Sequence, residues 1–179
     1  MNNAAIVTRI QNKEARIGVV GLGYVGLPLV LTFAKHGFKL IGFDIDQNKI
    51  DDLYAGHSYI RHIPAAETTQ IIENGQFKPT TDFGQIAECD AILLCVPTPL
   101  NIKKEMDNSN LLDVANRISP YLTKGMILIF ESSVAIGSTR EISKTIESLC
   151  NLKFGIDLGL AYCPERYNPT PMKKYTKDV

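Results

Sequence analysis

The sequence predicts an α/β protein built on a doubly wound parallel sheet of about six strands with helices on both faces. Short apolar runs alternate along the chain with longer stretches of helical periodicity, an order typical of parallel sheets, whose neighbouring strands need crossover connections. The apolar run 91–96 shows no alternation of polar and apolar residues, as expected for a strand covered on both faces. A glycine-rich turn joins the first predicted strand to the first helix.

Local patterns predict the first two elements. The apolar run 16–20 predicts a strand that leads straight into a glycine. Apolar residues at i, i+3, i+4 and i+7 from Leu27 form one stripe, which predicts a helix over 25–36. Gly37 follows as the residue that ends this helix.

The next part of the chain predicts two further strands and two helices. The strands are 39–43 and 77–80, and the helices between them are 47–54 and 66–74. The segment 56–64 contains glycine and proline at its ends and is predicted to be a loop.

The second half of the chain continues the alternation. Asp82 is placed to cap a short helix before the buried strand 91–96, which Pro97 ends. Ser138 and Glu141 have the spacing of a capping box, which predicts the start of a helix. The remaining predicted elements are helices over 109–121 and 138–150 and strands over 126–130 and 158–162.

Composition and charge exclude several functional classes. The 179 residues include 19 Lys and Arg and 19 Asp and Glu, so the formal net charge is zero, and neither nucleic acid nor a membrane surface is an expected partner. No apolar run reaches the length of roughly 18 residues that a membrane helix needs, and we expect a cytoplasmic protein. The widely spaced cysteines favour reduced thiols that pack as small apolar groups over a disulfide framework or a metal site. They are Cys89, Cys95, Cys150 and Cys163.

The turn after the first strand carries a GxGxxG motif made by Gly21, Gly23 and Gly26. Between a strand and a helix, the first glycine allows a tight turn, the second lets a diphosphate approach the backbone, and the third lets the helix pack closely on the strand. The N–H groups at the helix start, including those of Tyr24 and Val25, then face the phosphates. The motif predicts a Rossmann-type dinucleotide site.

An acidic residue ends the second strand at the position expected for a ribose ligand. Asp44 lies 21 residues after Gly23, and a carboxylate there accepts hydrogen bonds from both ribose hydroxyls. It also repels a 2′-phosphate, and no arginine follows it, so we predict NAD rather than NADP as cofactor. Lys49 lies one turn into the next helix, where it either helps to hold the ribose or phosphates or is a solvated helix charge.

Four motifs, in this order, resemble the UDP-glucose/GDP-mannose dehydrogenase family. They are GLGYVGLP at 21–28, VPTP at 96–99, ESSV with GST at 131–139 and YCPERYNP at 162–169. The resemblance covers about residues 14–170. In addition, SYIRHIP at 58–64 and TPLN at 98–101 are similar to the branch that oxidises UDP-N-acetylglucosamine-type sugars.

This resemblance implies an activity and further site residues. Members of the family oxidise the C6 alcohol of a nucleotide sugar to a carboxylate with two NAD+, and a cysteine captures the intermediate aldehyde. By resemblance, Val96, Thr98 and Ser133 contact NAD, with Ser133 in the place of a threonine near the reacting C6 oxygen. Glu165 stands where the family has a carboxylate that acts as a base. On local evidence alone, these residues could instead mark a strand end, a helix start and a surface acid.

The resemblance also implies a division of the chain. Residues 1–13 would be an extension, 14–167 the NAD-binding domain, and 168–179 a tail that leads to a central helix and a substrate domain. The nucleophilic cysteine and the catalytic lysine and asparagine of the family lie in those later segments. The complete protein is expected to be a homodimer or larger, with a UDP-sugar as substrate. Two alternatives remain open: another NAD-dependent dehydrogenase of the β-hydroxyacid type, and a non-enzymatic NAD-sensing module.

Overall fold

The structure, a computed structural model, describes residues 3–164, with the side chains described from residue 5 onward. Its centre is one six-stranded sheet in which every neighbouring pair is parallel, in the order β3-β2-β1-β4-β5-β6. This order places the first strand in the middle, as in dinucleotide-binding folds, and the predicted fold class is confirmed. The strands are β1 Arg16–Val20, β2 Lys39–Phe43, β3 Phe77–Thr80, β4 Ala91–Leu94, β5 Ile127–Phe130 and β6 Gly159–Tyr162.

The helices described between residues 3 and 164 occupy the connections between the strands and one segment before β1. Every predicted helix is present, although the helix predicted to reach residue 121 ends as an α-helix at Ile118 and continues as a 3₁₀ turn. None of these helices has the length and apolarity needed to cross a bilayer. The α-helices are α1 Asn3–Gln11, α2 Gly26–Lys35, α3 Gln47–Tyr54, α4 Ala65–Glu73, α5 Ser109–Ile118 and α6 Ser138–Cys150, and the 3₁₀ segments are Phe83–Glu88 and Ser119–Tyr121.

The sheet separates two apolar layers. Successive residues of β4 point to opposite faces, so Leu93 packs in the layer with α2, α3 and α4, whereas Ile92 and Leu94 pack in the layer with α5 and α6. Each of these side chains is buried. Because both faces are covered, the central strands need no polar residue, which explains their continuous apolar sequence.

The fourth strand is two residues shorter than predicted. The carbonyl oxygen of Leu94 accepts hydrogen bonds from the N–H groups of both Glu131 and Ser132, each at 3.1 Å. A regular parallel ladder supplies one donor per acceptor, so two donors from consecutive residues after β5 mark the end of the ladder. The segments that follow β4 and β5 therefore leave the sheet at the same edge.

The last helix starts at the predicted residue for a different reason. Gly137 is the N-cap, with a positive φ of 93°, and its carbonyl oxygen accepts from the N–H groups of Arg140 and Glu141. Ser138 makes no capping bond, and its Oγ accepts instead from Nδ2 of Asn108 at 2.9 Å. The predicted capping box is therefore wrong, because a glycine backbone and not a serine side chain begins the helix.

Candidate cofactor site

The three glycines of the turn between β1 and α2 meet three different requirements. Gly21 has a φ of +95°, and a Cβ there would lie 2.8 Å from the carbonyl oxygen of Cys95. A Cβ on Gly26 would lie only 1.9 Å from the carbonyl oxygen of Gly21. A Cβ on Gly23 would meet no atom within 4 Å. Packing therefore demands Gly21 and Gly26, whereas the space beside Gly23 is open to a ligand.

The turn presents unpaired backbone donors at the start of α2. The N–H groups of Gly23, Tyr24 and Val25 donate to no acceptor among the described residues. Val25 is the N-cap of α2, and neither a side-chain cap nor an acidic residue occupies the first turn. Free N–H groups and the positive end of the helix dipole together suit a diphosphate. These features fit the phosphates of a dinucleotide cofactor.

Asp44 lies directly beside this turn and is almost fully buried. Its Oδ2 accepts from the N–H of Leu22 at 2.9 Å and from Nζ of Lys49 at 2.8 Å. Its Oδ1 accepts from the N–H of Asp46 at 3.1 Å. A carboxylate offers about four acceptor positions, so these three bonds leave an acceptor position on Oδ1 for a ligand hydroxyl.

Lys49 is paired with Asp44 and is not only a solvated charge on the surface of α3. Its ammonium forms an ion pair with Asp44, and about a third of its side chain is exposed. The positive charge offsets part of the repulsion that Asp44 would exert on a 2′-phosphate. No arginine follows Asp44, but Lys49 supplies a compensating charge that the sequence pattern did not indicate.

The loop between α3 and α4 supports the glycine turn. The hydroxyl of Tyr59 donates to the carbonyl oxygen of Leu22 at 2.8 Å, and burial raises the pKa of this phenol. Ile60 and Ile63 anchor the loop in the core. The ring of His62 stacks near the exposed ring of Tyr24, with centroids 6.2 Å apart. The sequence predicted a loop here and a resemblance of SYIRHIP to one branch of the family, but it did not predict the contact of Tyr59 with the glycine turn.

The loops after β4 and β5 bring the remaining predicted residues together. The hydroxyl of Thr98 donates to the carbonyl oxygen of Ser133 at 2.6 Å. The hydroxyl of Ser132 lies 2.6 Å from the carbonyl oxygen of Val96. A Cβ on Gly21 would approach Cγ1 of Val96 to 3.2 Å, so the loop after β4 also borders the glycine turn. The predicted base, Glu165, lies outside the described residues.

The cysteines fit the predicted apolar packing only in part. Cys89 and Cys95 are buried and Cys150 is half-buried, but Cys163 is exposed, so the prediction is wrong for Cys163. Burial raises the pKa of the Cys89 thiol to about 12, which keeps it protonated and a poor nucleophile near neutral pH. Between residues 3 and 164, no cluster of His, Cys, Asp and Glu is arranged to hold a metal ion.

Comparison with known proteins identifies the family. Residues 15–177 match the UDP-glucose/GDP-mannose dehydrogenase family, NAD binding domain. The chain belongs to this family. The resemblance inferred from the four motifs is thereby confirmed, and so is NAD as the cofactor of this domain. The match also favours this family over the β-hydroxyacid and NAD-sensing alternatives.

Individual relatives agree with this assignment. The chain is 36% identical over 158 residues to the UDP-N-acetyl-D-glucosamine 6-dehydrogenase of Pseudomonas aeruginosa, covering 88% of this chain and 36% of the relative. It is 35% identical over 163 residues to the UDP-N-acetyl-D-mannosamine dehydrogenase of Escherichia coli (strain K12), covering 87% and 38%. The chain thus spans little more than a third of the length of these relatives.

A solved structure shows the same architecture. The NDP-N-acetyl-D-galactosaminuronic acid dehydrogenase of Methanosarcina mazei superimposes with a TM-score of 0.80 at 30% sequence identity. The matched region covers 91% of this chain and 37% of that protein. The shared fold therefore makes up little more than a third of that dehydrogenase.

Proposed function

We propose that this chain is the cofactor-binding part of a nucleotide-sugar 6-dehydrogenase. The complete protein would oxidise the C6 alcohol of a UDP-sugar, a UDP-N-acetyl-hexosamine, to the uronic acid with two NAD+. The observation that carries the proposal is that the glycine turn, Asp44 and the loops after β4 and β5 lie along one edge of the sheet, where α/β folds bind ligands. The names of the relatives support the choice of sugar.

Different residues at this edge would bind different parts of NAD. The N–H groups of Gly23, Tyr24 and Val25 would bind the diphosphate, and Gly21 and Gly26 keep the turn in shape. A cofactor held in this way would supply the hydride acceptor for the oxidation.

The two ends of the site would take different halves of NAD. Asp44 would accept from the adenosine ribose, and Lys49 would help to hold the ribose or the phosphates. Val96, Thr98 and Ser133 would line the nicotinamide end of the site. Ser133 is exposed, and no bond to its hydroxyl is found among the described residues, so this hydroxyl is available to a ligand.

Glu165 is proposed as the base of the complete enzyme, on the strength of the PER motif alone. In the complete protein, Glu165→Gln should leave NAD affinity nearly unchanged and lower kcat by roughly a hundredfold or more, because the amide keeps the shape but cannot take a proton. Steady-state kinetics with the UDP-sugar, beside a titration with NADH, test this role. An unchanged kcat would exclude it.

The organisation of the chain remains part of the proposal. Residues 14–167 would form the NAD-binding domain, preceded by the extension 1–13, and 168–179 would lead to the rest of the protein. The family resemblance supports a homodimer or larger assembly for the complete protein and a cytoplasmic location, with a UDP-sugar as substrate. Light scattering on the complete protein tests the assembly state.

The 179-residue chain itself tests the central proposal. Calorimetry should detect binding of NAD+ and NADH, because the diphosphate and ribose ligands all lie within the chain. With NAD+ and a UDP-sugar together, absorbance at the nicotinamide band should show no NADH formation, because the chain spans only 36% to 38% of these relatives. A chain that binds no NAD(H), or one that sustains turnover, would contradict the proposal.

A further inference from the structure

Two loops at the cofactor edge exchange hydrogen bonds through their hydroxyls. Thr98 of the loop after β4 donates to the carbonyl oxygen of Ser133 at 2.6 Å. Ser132 of the loop after β5 lies 2.6 Å from the carbonyl oxygen of Val96 and 3.1 Å from that of Leu94. A serine hydroxyl has one proton, so the shorter contact to Val96 is the stronger bond. We refer to Val96, Thr98, Ser132 and Ser133 as the loop clasp.

The clasp is formed just beyond the last paired residues of β4 and β5, where the backbone N–H groups of Glu131 and Ser132 still reach the carbonyl oxygen of Leu94. Leu94 and Phe130 are the last paired residues of β4 and β5, and the following residues leave the ladder. Thr98 and Ser133 lie beyond the ladder, and loop residues without ladder bonds have several accessible conformations. Two bonds of opposite direction between the loops reduce this freedom before any ligand binds.

Further hydrogen bonds connect the same loops to the helices that follow them. Nδ2 of Asn110 donates to the carbonyl oxygen of Pro97 at 2.8 Å, which ties the loop after β4 to α5. Nδ2 of Asn108 donates to Oγ of Ser138 at 2.9 Å, which ties the start of α5 to the start of α6. Hydrogen bonds to α5 and between α5 and α6 therefore support the segments that carry the clasp. Within the clasp, Ser132 is buried.

The bonding fixes how each clasp residue can meet a ligand. Thr98 uses its proton on Ser133, so its oxygen can only accept from a ligand. Ser132 is only 8% exposed, and its hydroxyl is bonded inward, so it does not face the site. Ser133, the next residue in the sequence after Ser132, is exposed, so its hydroxyl is accessible to a ligand.

We propose that Ser132 is a positioning residue: its hydroxyl holds the loops after β4 and β5 together so that Thr98 and Ser133 engage the nicotinamide half of the cofactor as one surface. This role rests on the proposed function, since it presumes that the nicotinamide lies at this end of the site. It predicts a selective effect, because the adenosine half would lie at the glycine turn and Asp44, to which the hydroxyls of the clasp donate no hydrogen bond.

The test compares NADH with ADP-ribose, which lacks the nicotinamide. In the 179-residue chain, Ser132→Ala should weaken NADH binding about three- to tenfold, the range expected for one net hydrogen bond, and should leave ADP-ribose affinity within about twofold. Calorimetry gives both affinities, and the fluorescence enhancement of bound NADH reports the surroundings of the nicotinamide ring. This enhancement should fall in the variant.

Ser143→Ala is the matched control. Ser143 is also a buried serine, and its hydroxyl donates to the carbonyl oxygen of Arg140 at 2.9 Å within α6. Losing this hydroxyl removes a similar bond without touching the clasp, so both affinities should stay at the wild-type values. If Ser132→Ala does not fold, Ser132→Cys replaces it, since a thiol fills a similar volume but is a weak donor.

The outcomes separate the two proposals. A wild-type chain that binds neither ligand contradicts the proposed function. A wild-type chain that binds both equally, or a folded Ser132 variant that keeps the wild-type ratio of the two affinities, overturns the positioning role alone. An equal loss for both ligands shows that Ser132 supports the fold in general, which also overturns it.

Discussion

Gly26→Ala should destabilise the protein and abolish NAD binding. The new Cβ would lie 1.9 Å from the carbonyl oxygen of Gly21, and a further contact of 3.2 Å with Cγ1 of Val19 adds to the crowding. The nearest atom belongs to the backbone, so no side-chain rotation relieves the clash, and α2 must move away from β1. Overpacking of this kind costs about 1–3 kcal/mol and occasionally more. Urea denaturation measures the loss of stability, and calorimetry with NADH the loss of binding.

Gly23→Ala is the matched control for this prediction. A Cβ at Gly23 would meet no protein atom within 4 Å, so the free energy of unfolding should change by no more than about 1 kcal/mol. NAD affinity should still fall strongly, because the methyl group occupies the space through which the diphosphate approaches the N–H groups. The two variants thus separate packing from ligand access. Wild-type stability in Gly26→Ala, or wild-type affinity in Gly23→Ala, would contradict the assigned roles.

Asp44→Asn should weaken NAD binding by about ten- to a hundredfold, since a hydrogen bond to a charged group contributes about 1.5–3 kcal/mol. Three donors converge on the Asp44 carboxylate, from Leu22, Asp46 and Lys49. An amide has one acceptor oxygen and brings an NH₂ group that faces one of these donors. The site then loses both its ribose acceptor and the bond that holds the glycine turn.

The same variant should also reduce the preference for NAD over NADP. Without the carboxylate charge, the ammonium of Lys49 is no longer neutralised and attracts a 2′-phosphate. Titrations with both dinucleotides measure the ratio of the two affinities. Asp46→Asn is the control, because it removes one charge two residues away and asparagine remains a good N-cap for α3. A wild-type ratio in Asp44→Asn, or an equal shift in both variants, would contradict the specificity role of Asp44.

The strands were predictable because their signal is local. The ends of β1, β2 and β3 match the predicted ends. For β1 and β2 the reason is that an apolar run is bounded by polar or turn-forming residues. The helix predicted from the stripe that begins at Leu27 likewise ends at the glycine expected to stop it, and Gly37 has the positive φ that this role needs.

The N-terminal helix had no such signal. α1 is nine residues long and carries no acidic residue in its first turn, and a helix of this length is marginal without tertiary contacts. Its contacts come from the rest of the chain: Ile6 is buried, and Nη2 of Arg9 lies 2.9 Å from Oδ2 of Asp90. Asp90 directly precedes β4, so no window of sequence around α1 contains this partner.

The candidate site shows the same division. Sequence alone determined the order of strands and helices from β1 onward, the glycine turn and the acid after β2, because backbone sterics and apolar periodicity act within a few residues. Only the tertiary structure decided that Lys49 neutralises Asp44, that Tyr59 supports the glycine turn and that Ser132 and Thr98 join two loops. These contacts depend on the distance and direction between side chains, and those are set once the sheet brings separate segments to one edge.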